Sequence, residues 1–345
     1  MSDNVNETSP LISVVIINHN GKDHIKECLE TVFKTNYPNF EVILVDNAST
    51  DGSLTLIMEL LGSNPYLRIV YNTKNIGLAG GRNVGAKYSK GEYIVFLDHD
   101  TKVNPNWLKE LVTVMEKDPS IGAAQCKFLL MDDPKRLDSA GHYIDYLGIG
   151  TIIGFREYDR GQYDNIYEIL GAQGGAFAIK RKIFEEVGGA DEDFFYLFEE
   201  TDLCWRIWLA GYRVVFIPKS IVYHKGGGTA RRIGNERITY LFVRNRITSM
   251  IKNYSLLSLL KYLPIHIIIM LGFSFIMIKK HRFKEARAII NAITWNILNL
   301  HKIWWKRRKV QKMRKITDNF LFKREVIRKP DLKGILNRIH SLYGI

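Results

Sequence analysis

The sequence predicts an α/β fold: a mostly parallel central sheet flanked by helices, followed by a helical, basic, membrane-associated C-terminal extension. Three observations carry this reading. Short apolar runs alternate with helix-like stretches between Leu11 and Asp100. Polar residues follow these runs directly. The charge is also uneven: residues 279–345 hold 19 Lys and Arg against 4 Asp and Glu, whereas the remainder of this chain of net charge +13 is close to neutral.

The expected strands are Ile12–Ile17, Glu41–Val45, Leu67–Tyr71 and Tyr93–Leu97, with helices over Lys22–Lys34, Ser53–Leu61 and Leu78–Ser89 between them. Strands that are apolar throughout are buried on both faces, as in a parallel sheet covered by helices. Open sheets of this kind bind ligands beyond the carboxyl ends of their strands. Asn18-His19-Asn20, Asp46-Asn47, Asn72 and Asp98-His99-Asp100 all fall there, where a nucleotide would sit. Ser49 to Ser53 is turn chemistry with a natural helix cap. The Gly-rich stretch Asn75 to Gly85 lets the backbone approach a phosphate, with Arg82 adding charge, or lets a helix pack tightly through small residues. It is neither G-x-G-x-x-G nor a P-loop, which argues against both of those sites. Gly174 to Ile179 reads as a strand that opens with glycines, and Val214 to Ile217 as the last strand.

Three clusters carry chemistry. Asp98 and Asp100, at a strand end, suit a hard divalent cation that keeps waters or phosphates as further ligands; the competing reading is a solvated turn. Glu199, Glu200 and Asp202 follow the aromatic run Phe194 to Phe198 and open a helix. The helix dipole favours carboxylates there, but three acids in four positions exceed what capping requires. His224 precedes the glycine run Gly226 to Gly228 and is either a metal ligand or an ordinary surface or core histidine.

Composition sets the outer limits. Apolar residues make up 46% of the chain, which excludes general disorder. The length allows one large domain or two modest ones. The division falls into a flexible N-terminus (1–10), an α/β body (11–235) and a C-terminal region (236–345). Cys28, Cys126 and Cys204 are scattered, with neither disulfide nor metal spacing, which fits a reducing compartment. Met1 to Pro10 lacks signal-peptide character, so Asn6 and Asn253 are not read as glycosylation sites.

Leu263 to Ile278 is apolar, broken only by Pro264, His266, Gly272 and Ser274, and approaches the short limit of a membrane span, roughly 17 residues. A span would put the body and the basic tail on opposite sides, and the positive-inside rule wants the tail cytosolic, where the reducing compartment read from the cysteines puts the body. A segment lying in the interface avoids the conflict. Ala286, Ile290, Ile293, Ile297, Leu300 and Trp304 recur at helical spacing, and Trp304-Trp305 leads into Lys306 to Lys309. This is the profile of a monotopic amphipathic helix on an anionic membrane surface; the competing reading is a helical subdomain packed on the body. No nucleic-acid module is recognisable in the tail, so nucleic acid is not an expected partner.

Together these residues resemble family 2 glycosyltransferases of the GT-A (nucleotide-diphospho-sugar transferase) fold, from about Leu11 to Thr229. Val14 to Asn20 resembles the opening strand and nucleotide turn, and Val45 to Ser53 the motif whose Asp faces the base. Asn75-x-Gly77 through Arg82-Asn83-x-Gly85 resembles the third motif, Asp98-His99-Asp100 the metal and ribose motif, and Glu199-Glu200-Thr201-Asp202 the acidic motif that carries the catalytic base. His224 matches a histidine that joins the metal site in some members. Among subgroups, the chain is most similar to the rhamnosyltransferase-like one.

The resemblance implies an inverting, metal-dependent hexosyl transfer using Mg²⁺ or Mn²⁺. The sugar would pass from a nucleotide-diphosphate donor, dTDP-rhamnose or a UDP-sugar, to a hydroxyl of a glycan or lipid-linked acceptor in cell-surface polysaccharide synthesis, at the cytosolic face of the membrane. It implies donor binding by Asn18, His19, Asp46, Asn75, Gly77, Arg82 and Asp98. Metal binding would fall to Asp100, Asp98 and His224, and catalysis to Glu200, with Glu199 and Asp202 beside it. The acidic motif commonly reads Glu-Asp-x-Asp; the Glu-Glu-Thr-Asp here leaves the base open between Glu199 and Glu200. No Gln-x-x-Arg-Trp motif of processive synthases is found, which favours single addition. The alternatives are transfer to a polyisoprenyl phosphate, and a non-catalytic protein that binds lipid or nucleic acid on a degenerate transferase fold.

Overall fold

Val14 and Ile16 pack into one hydrophobic cluster, and Val15 and Ile17, between and beyond them, into another. The first strand is therefore buried on both faces, and its neighbours follow the same pattern. The computed structural model describes residues 9–165, 168–226 and 233–331. Most of the N-terminal segment, Gly227 and Gly228 of the glycine run, and the end of the basic tail lie outside the described residues.

The first half is β1 (Ile12–Asn18), α1 (Ile25–Phe33), β2 (Phe40–Asp46), α2 (Ser53–Leu61), β3 (Leu67–Tyr71), α3 (Gly77–Tyr88) and β4 (Tyr93–Asp98). It is continued by β5 (Thr101–Val103), α4 (Trp107–Lys117), β6 (Ile121–Leu130), β7 (Asp133–Ser139), β8 (His142–Asp145) and β9 (Gly150–Ile152). After these come β10 (Ala176–Lys180), α5 (Arg181–Glu186), α6 (Glu199–Leu209) and β11 (Arg213–His224). The main sheet runs β3-β2-β1-β4-β10-β6-β11-β5, with β7 paired to β6. Strands β3, β2, β1 and β4 are mutually parallel, β10 and β5 run antiparallel to their neighbours, and β11 is parallel to β6. The sheet is thus parallel in its first half and mixed in its second.

Register positions the polar edge. Asn18 pairs with Asp46, and Ile17 pairs with both Val45 and Asp98, so the three strand ends finish in one row. The glycines of α3 serve close packing on β1: a Cβ on Gly85 would stand 2.1 Å from Val15 Cγ1. Strand β11 extends well beyond the expected Val214–Ile217. A register shift between Ile217 and Ile221, around Pro218, hides its continuation to His224.

The C-terminal region forms α7 (Asn235–Asn253), α8 (Leu256–Lys279), α9 (Phe283–Leu298), α10 (Leu300–Met313), α11 (Asp318–Lys323) and β12 (Ile327–Arg328). It is joined to the body at several places. β12 pairs with β8 in a second sheet. Tyr254 packs edge-on against Trp205, ring centres 4.8 Å apart, and donates to the Tyr146 carbonyl. Asn245 donates through Nδ2 to the carbonyls of Phe194, Tyr196 and Leu197, while Arg244 donates to those of Asp193 and Phe194. The expected single amphipathic helix from Ala286 to Trp304 is two helices, broken at Asn299, where φ is −101° and ψ 14°. Ala286 turns inward with Ile289, Ala292 and Asn296, while Ile290, Ile297, Leu300 and Trp304 face outward.

Asp202 lies inside this junction. Its carboxylate accepts from Arg206 and Lys252 at 2.9 Å each, and from Ser249 and Asn253 at 3.1 and 3.0 Å. Lys252 also reaches Asp191, which is paired in turn with Lys306. Removing one partner from a buried pair leaves the other charge unpaired, at a cost of about 3–5 kcal/mol. Asp202→Ala is therefore expected to lower the free energy of denaturant unfolding by that order; an unchanged unfolding midpoint would show that the network contributes nothing.

Candidate active site

Asp98 ends β4, Asp100 follows one residue later, and His224 ends β11. Pairing of β11 with β5 sets His224 opposite Thr101, and the Lys225 N–H donates to the Asp100 carbonyl at 3.0 Å. As a result, one ligand atom from each of Asp98, Asp100 and His224 lies within 4.8 Å of the others. His224 Nε2 stands 3.4 Å from Asp100 Oδ1, and its Nδ1 pairs with Asp138 Oδ2 at 2.7 Å. Asp138, from β7, orients the imidazole as carboxylates do behind metal-bound histidines. Burial, with Asp100 next, pushes the Asp98 carboxyl up to about 6. Crowded oxygen donors and an oriented imidazole fit a divalent cation such as Mg²⁺ or Mn²⁺, which would relieve that repulsion.

A cavity of about 380 Å³ opens beside this group, lined by His19, Asn47, Asn75, Gly77, His99 and Tyr196 among others. His19 Nδ1 is held at 2.9 Å from the Asn47 carbonyl, and Asn47 donates to the Gly77 carbonyl at 3.0 Å. Gly77 has φ +76°, and a Cβ there would stand 2.2 Å from the Phe195 carbonyl oxygen, so a side chain cannot be accommodated. Asn18 and Asp46 are buried and bonded to each other at 2.9 Å, with Ser49 also donating to Asp46, and neither is among the cavity's lining residues. Arg82 turns inward as well. It is 1% exposed and donates to Glu199 at 3.0 Å and to the Gly174 carbonyl at 3.2 Å.

The acidic motif sits on a strained turn. Phe195, Leu197 and Phe198 have φ of 62°, 68° and 70°, a conformation that costs about 1–3 kcal/mol per residue and persists only where surroundings enforce it. Asn245 and Arg244 supply that enforcement through the carbonyl contacts described above. The turn delivers Glu199 to Arg82 and leaves Glu200 half-buried beside it. Burial first, and Glu200 second, push Glu199 up to about 8 against the pull of Arg82. Burial also raises Glu200, with Asp98 contributing. The neighbouring Glu200 thus disfavours ionisation of Glu199. Tyr196 lines the cavity within the field of Asp98, Glu199 and Glu200; burial, then these charges, raise its hydroxyl, so it stays a donor.

The site thus gathers Asp98, Asp100 and His224 at one point, His19, Asn75 and Gly77 around the cavity, and Glu199 and Glu200 alongside, while Asp202 points away. Sequence reasoning gave no signal for Asp138, or for Asn245 as the clamp. Tyr196 was legible only as part of an aromatic run.

Comparison with known proteins supplies the family. The profile described as "Glycosyl transferase family 2" matches residues 13–188, just over half of the chain. The O-antigen biosynthesis protein RfbC of Myxococcus xanthus is 26% identical over 238 residues, covering 65% of this chain and 18% of that protein. Among solved structures, GalNAc-T7 with UDP, GalNAc and Mn²⁺ has a TM-score of 0.58 at 22% identity, covering 71% of this chain and 48% of the other. The Pyrobaculum calidifontis mannosyltransferase PcManGT, in complex with GDP-Man and Mn²⁺, has a TM-score of 0.54 at 18% identity, covering 89% of this chain and 86% of the other. These structural likenesses establish the GT-A-like fold. The chain spans about half or less of the length of the first curated relatives it matches.

A pH test follows from Glu199. A folded carboxyl held above its ordinary value of 4.5, at about 8, means that the folded protein binds the extra proton. Stability from this group is then lost as pH rises through that window and is constant above it. In chelator, the unfolding free energy of the wild type minus that of Glu199→Gln is expected to fall between those pH values; a difference that rises would contradict the assignment. The chain belongs to glycosyl transferase family 2.

Proposed function

We propose that the chain is a metal-dependent, inverting glycosyltransferase that moves a sugar from a nucleotide-diphosphate donor to a hydroxyl of a glycan or lipid-linked acceptor in polysaccharide synthesis. The observation that carries the proposal is the convergence of Asp98, Asp100 and His224 at the sheet's carboxyl edge, beside the cavity and within the electrostatic reach of Glu200. The donor class is supported by the complexes of GalNAc-T7 and PcManGT, and the polysaccharide setting by the name of RfbC. The rhamnosyltransferase-like resemblance makes dTDP-rhamnose a candidate donor, with UDP-sugars beside it.

In this reading Asp98, Asp100 and His224 hold the divalent ion, and Asp138 fixes the imidazole. When bound, that ion supplies charge neutralisation for the departing diphosphate. His19, Asn75 and Gly77 receive the nucleoside, with Asn18 and Asp46 bracing the strand ends beneath. Glu200 takes the proton of the acceptor hydroxyl as its oxygen attacks the anomeric carbon from the face opposite the leaving group. Glu199, raised by burial and by Glu200, is anchored by Arg82. The strained turn positions both, because a sugar hydroxyl is a weak nucleophile and its orientation matters as much as the base.

The acceptor side faces a membrane in this proposal. Helix α8 is long and apolar enough to cross a bilayer, and only 17% of its apolar window is buried. Leu259, His266, Met270 and Ser274 face the protein, while Ile268 (67% exposed) and Phe275 (56%) face outward. Ile297, Trp304 and Trp305 expose apolar surface on α9 and α10. Both ends of α8 are engaged with the rest of the chain: the Tyr262 ring packs at a tilt against Tyr146 and Tyr254, and Ser274 donates to the Ala286 carbonyl. These contacts support a helix lying in the interface; the cytosolic side follows from the proposed donor, because sugar nucleotides are made there.

Two outcomes are expected. A screen of sugar nucleotides should find one that raises the melting temperature only with Mg²⁺ or Mn²⁺ present. Asp100→Ala should remain folded and lose both the shift and turnover; full turnover in excess chelator would overturn the metal assignment. The chain should also bind anionic vesicles with an affinity that falls with ionic strength, each Lys or Arg at the surface contributing about 1 kcal/mol, and with a salt-resistant remainder from the apolar face. External protease on spheroplasts should cleave nothing in the chain; cleavage after Lys279 would show that α8 spans.

A further inference from the structure

We propose that Arg237, in the first turn of α7, is a donor-binding residue that contacts the diphosphate of the nucleotide sugar, so that the C-terminal region completes the donor cavity. The proposal rests on the reading of that cavity as the donor site. Arg237 lies outside the family-matched residues 13–188, in the region that the sequence assigns to membrane association.

Position comes first. Arg237 lines the donor cavity together with His19, Asn75, Phe195 and Tyr196, and it also lines a more open groove of about 610 Å³ between α7 and α9. It therefore stands at the cavity's mouth. Its guanidinium carbon lies 5.4 Å from the centre of the Phe195 ring. A cation–π contact of this kind draws the guanidinium to the ring face and leaves its N–H groups available for hydrogen bonds. Phe195 is itself fixed, since its carbonyl accepts from the Leu78 N–H at 2.7 Å and its φ is 62°. The ring that carries Arg237 thus belongs to the same strained turn that presents Glu199 and Glu200.

Charge comes second. Asp98, Asp100, Glu199 and Glu200 crowd the inner end of the site. Arg82 is committed to Glu199, and His224 to Asp100 and Asp138. A divalent ion would offset the remaining carboxylate charge, and a diphosphate then brings further negative charge. Among the described residues that line the cavity, Arg237 is the only lysine or arginine. A guanidinium matches phosphate oxygens in a bidentate manner, which a lysine does not reproduce.

The test is calorimetric titration of the full chain with Mn²⁺ present, using UDP, dTDP and GDP, each beside its own nucleoside. For the nucleotide that binds, Arg237→Ala should weaken the diphosphate by at least ~10-fold, the scale of a hydrogen bond to a charged group. The same variant should leave the nucleoside unchanged. Arg237→Lys should recover only part of the loss, and the donor KM should rise more than kcat falls. Diphosphate binding by Arg237→Ala equal to wild type overturns the role of Arg237 alone. Equal weakening of diphosphate and nucleoside also overturns it, because Arg237 would then only brace Phe195 and the cavity wall. A wild-type chain that binds none of the diphosphates overturns the donor-site reading as well.

Discussion

The buried hydrogen bond from Arg82 to Glu199 is the constraint on which the site depends. Arg82 comes from α3 and Glu199 from the start of α6, and both side chains are almost fully buried. Without a partner, the Arg82 guanidinium would be costly to place there. Together they join the nucleotide half of the sheet to the acidic turn. The pair also makes two adjacent glutamates unequal. One is held by a guanidinium inside the protein, and the other remains half-buried next to it. The sequence alone leaves the base open between them; the burial of Arg82 supplies the asymmetry.

The same turn links the catalytic body to the C-terminal helices. Its backbone carbonyls, that of the left-handed Leu197 included, are held by Asn245, Arg244 holds those of Asp193 and Phe194, and Lys252 and Lys306 secure Asp191 just before it. Helix α7 therefore faces the active site along one side and supports α9 along another, where Thr248 bonds Asn296. The apolar surfaces of α8, α9 and α10 look away from these contacts. In the proposed reading, docking on a lipid surface and positioning of the acidic motif are functions of one helical unit, because its two faces belong to the same few helices.

Much of this was legible in the sequence because local pattern and global fold agree there. The apolar runs at β1 to β4, the polar strand ends and the order of the motifs all follow from short-range signals. Three kinds of feature were not legible. The stretch from Thr101 to Ile152, with β5 to β9 and α4, gave no reading; its short strands carry little pattern of their own, and His142–Asp145 is completed by β9 on one side and by the distant Ile327 and Arg328 on the other. Asp202 carries a sequence signal shared by capping, catalysis and burial, and only its partners Arg206 and Lys252 decide where it points. The glycines of Asn75 to Gly85 suit phosphate approach and tight packing equally; Val15 against Gly85 shows the second, and Gly77 alone lines the cavity.

The central claim is that Glu200 is the base and Glu199 its anchored neighbour. Single-turnover transfer with donor and Mn²⁺ at saturation tests it most directly, comparing Glu200→Gln and Glu199→Gln with the wild type. The account predicts that Glu200→Gln binds donor normally and transfers at least ~100-fold more slowly, with a milder loss for Glu199→Gln. A reversed order would place the base on Glu199. Undiminished transfer by both would contradict general-base attack by a hydroxyl and identify the acceptor as an ionised phosphate.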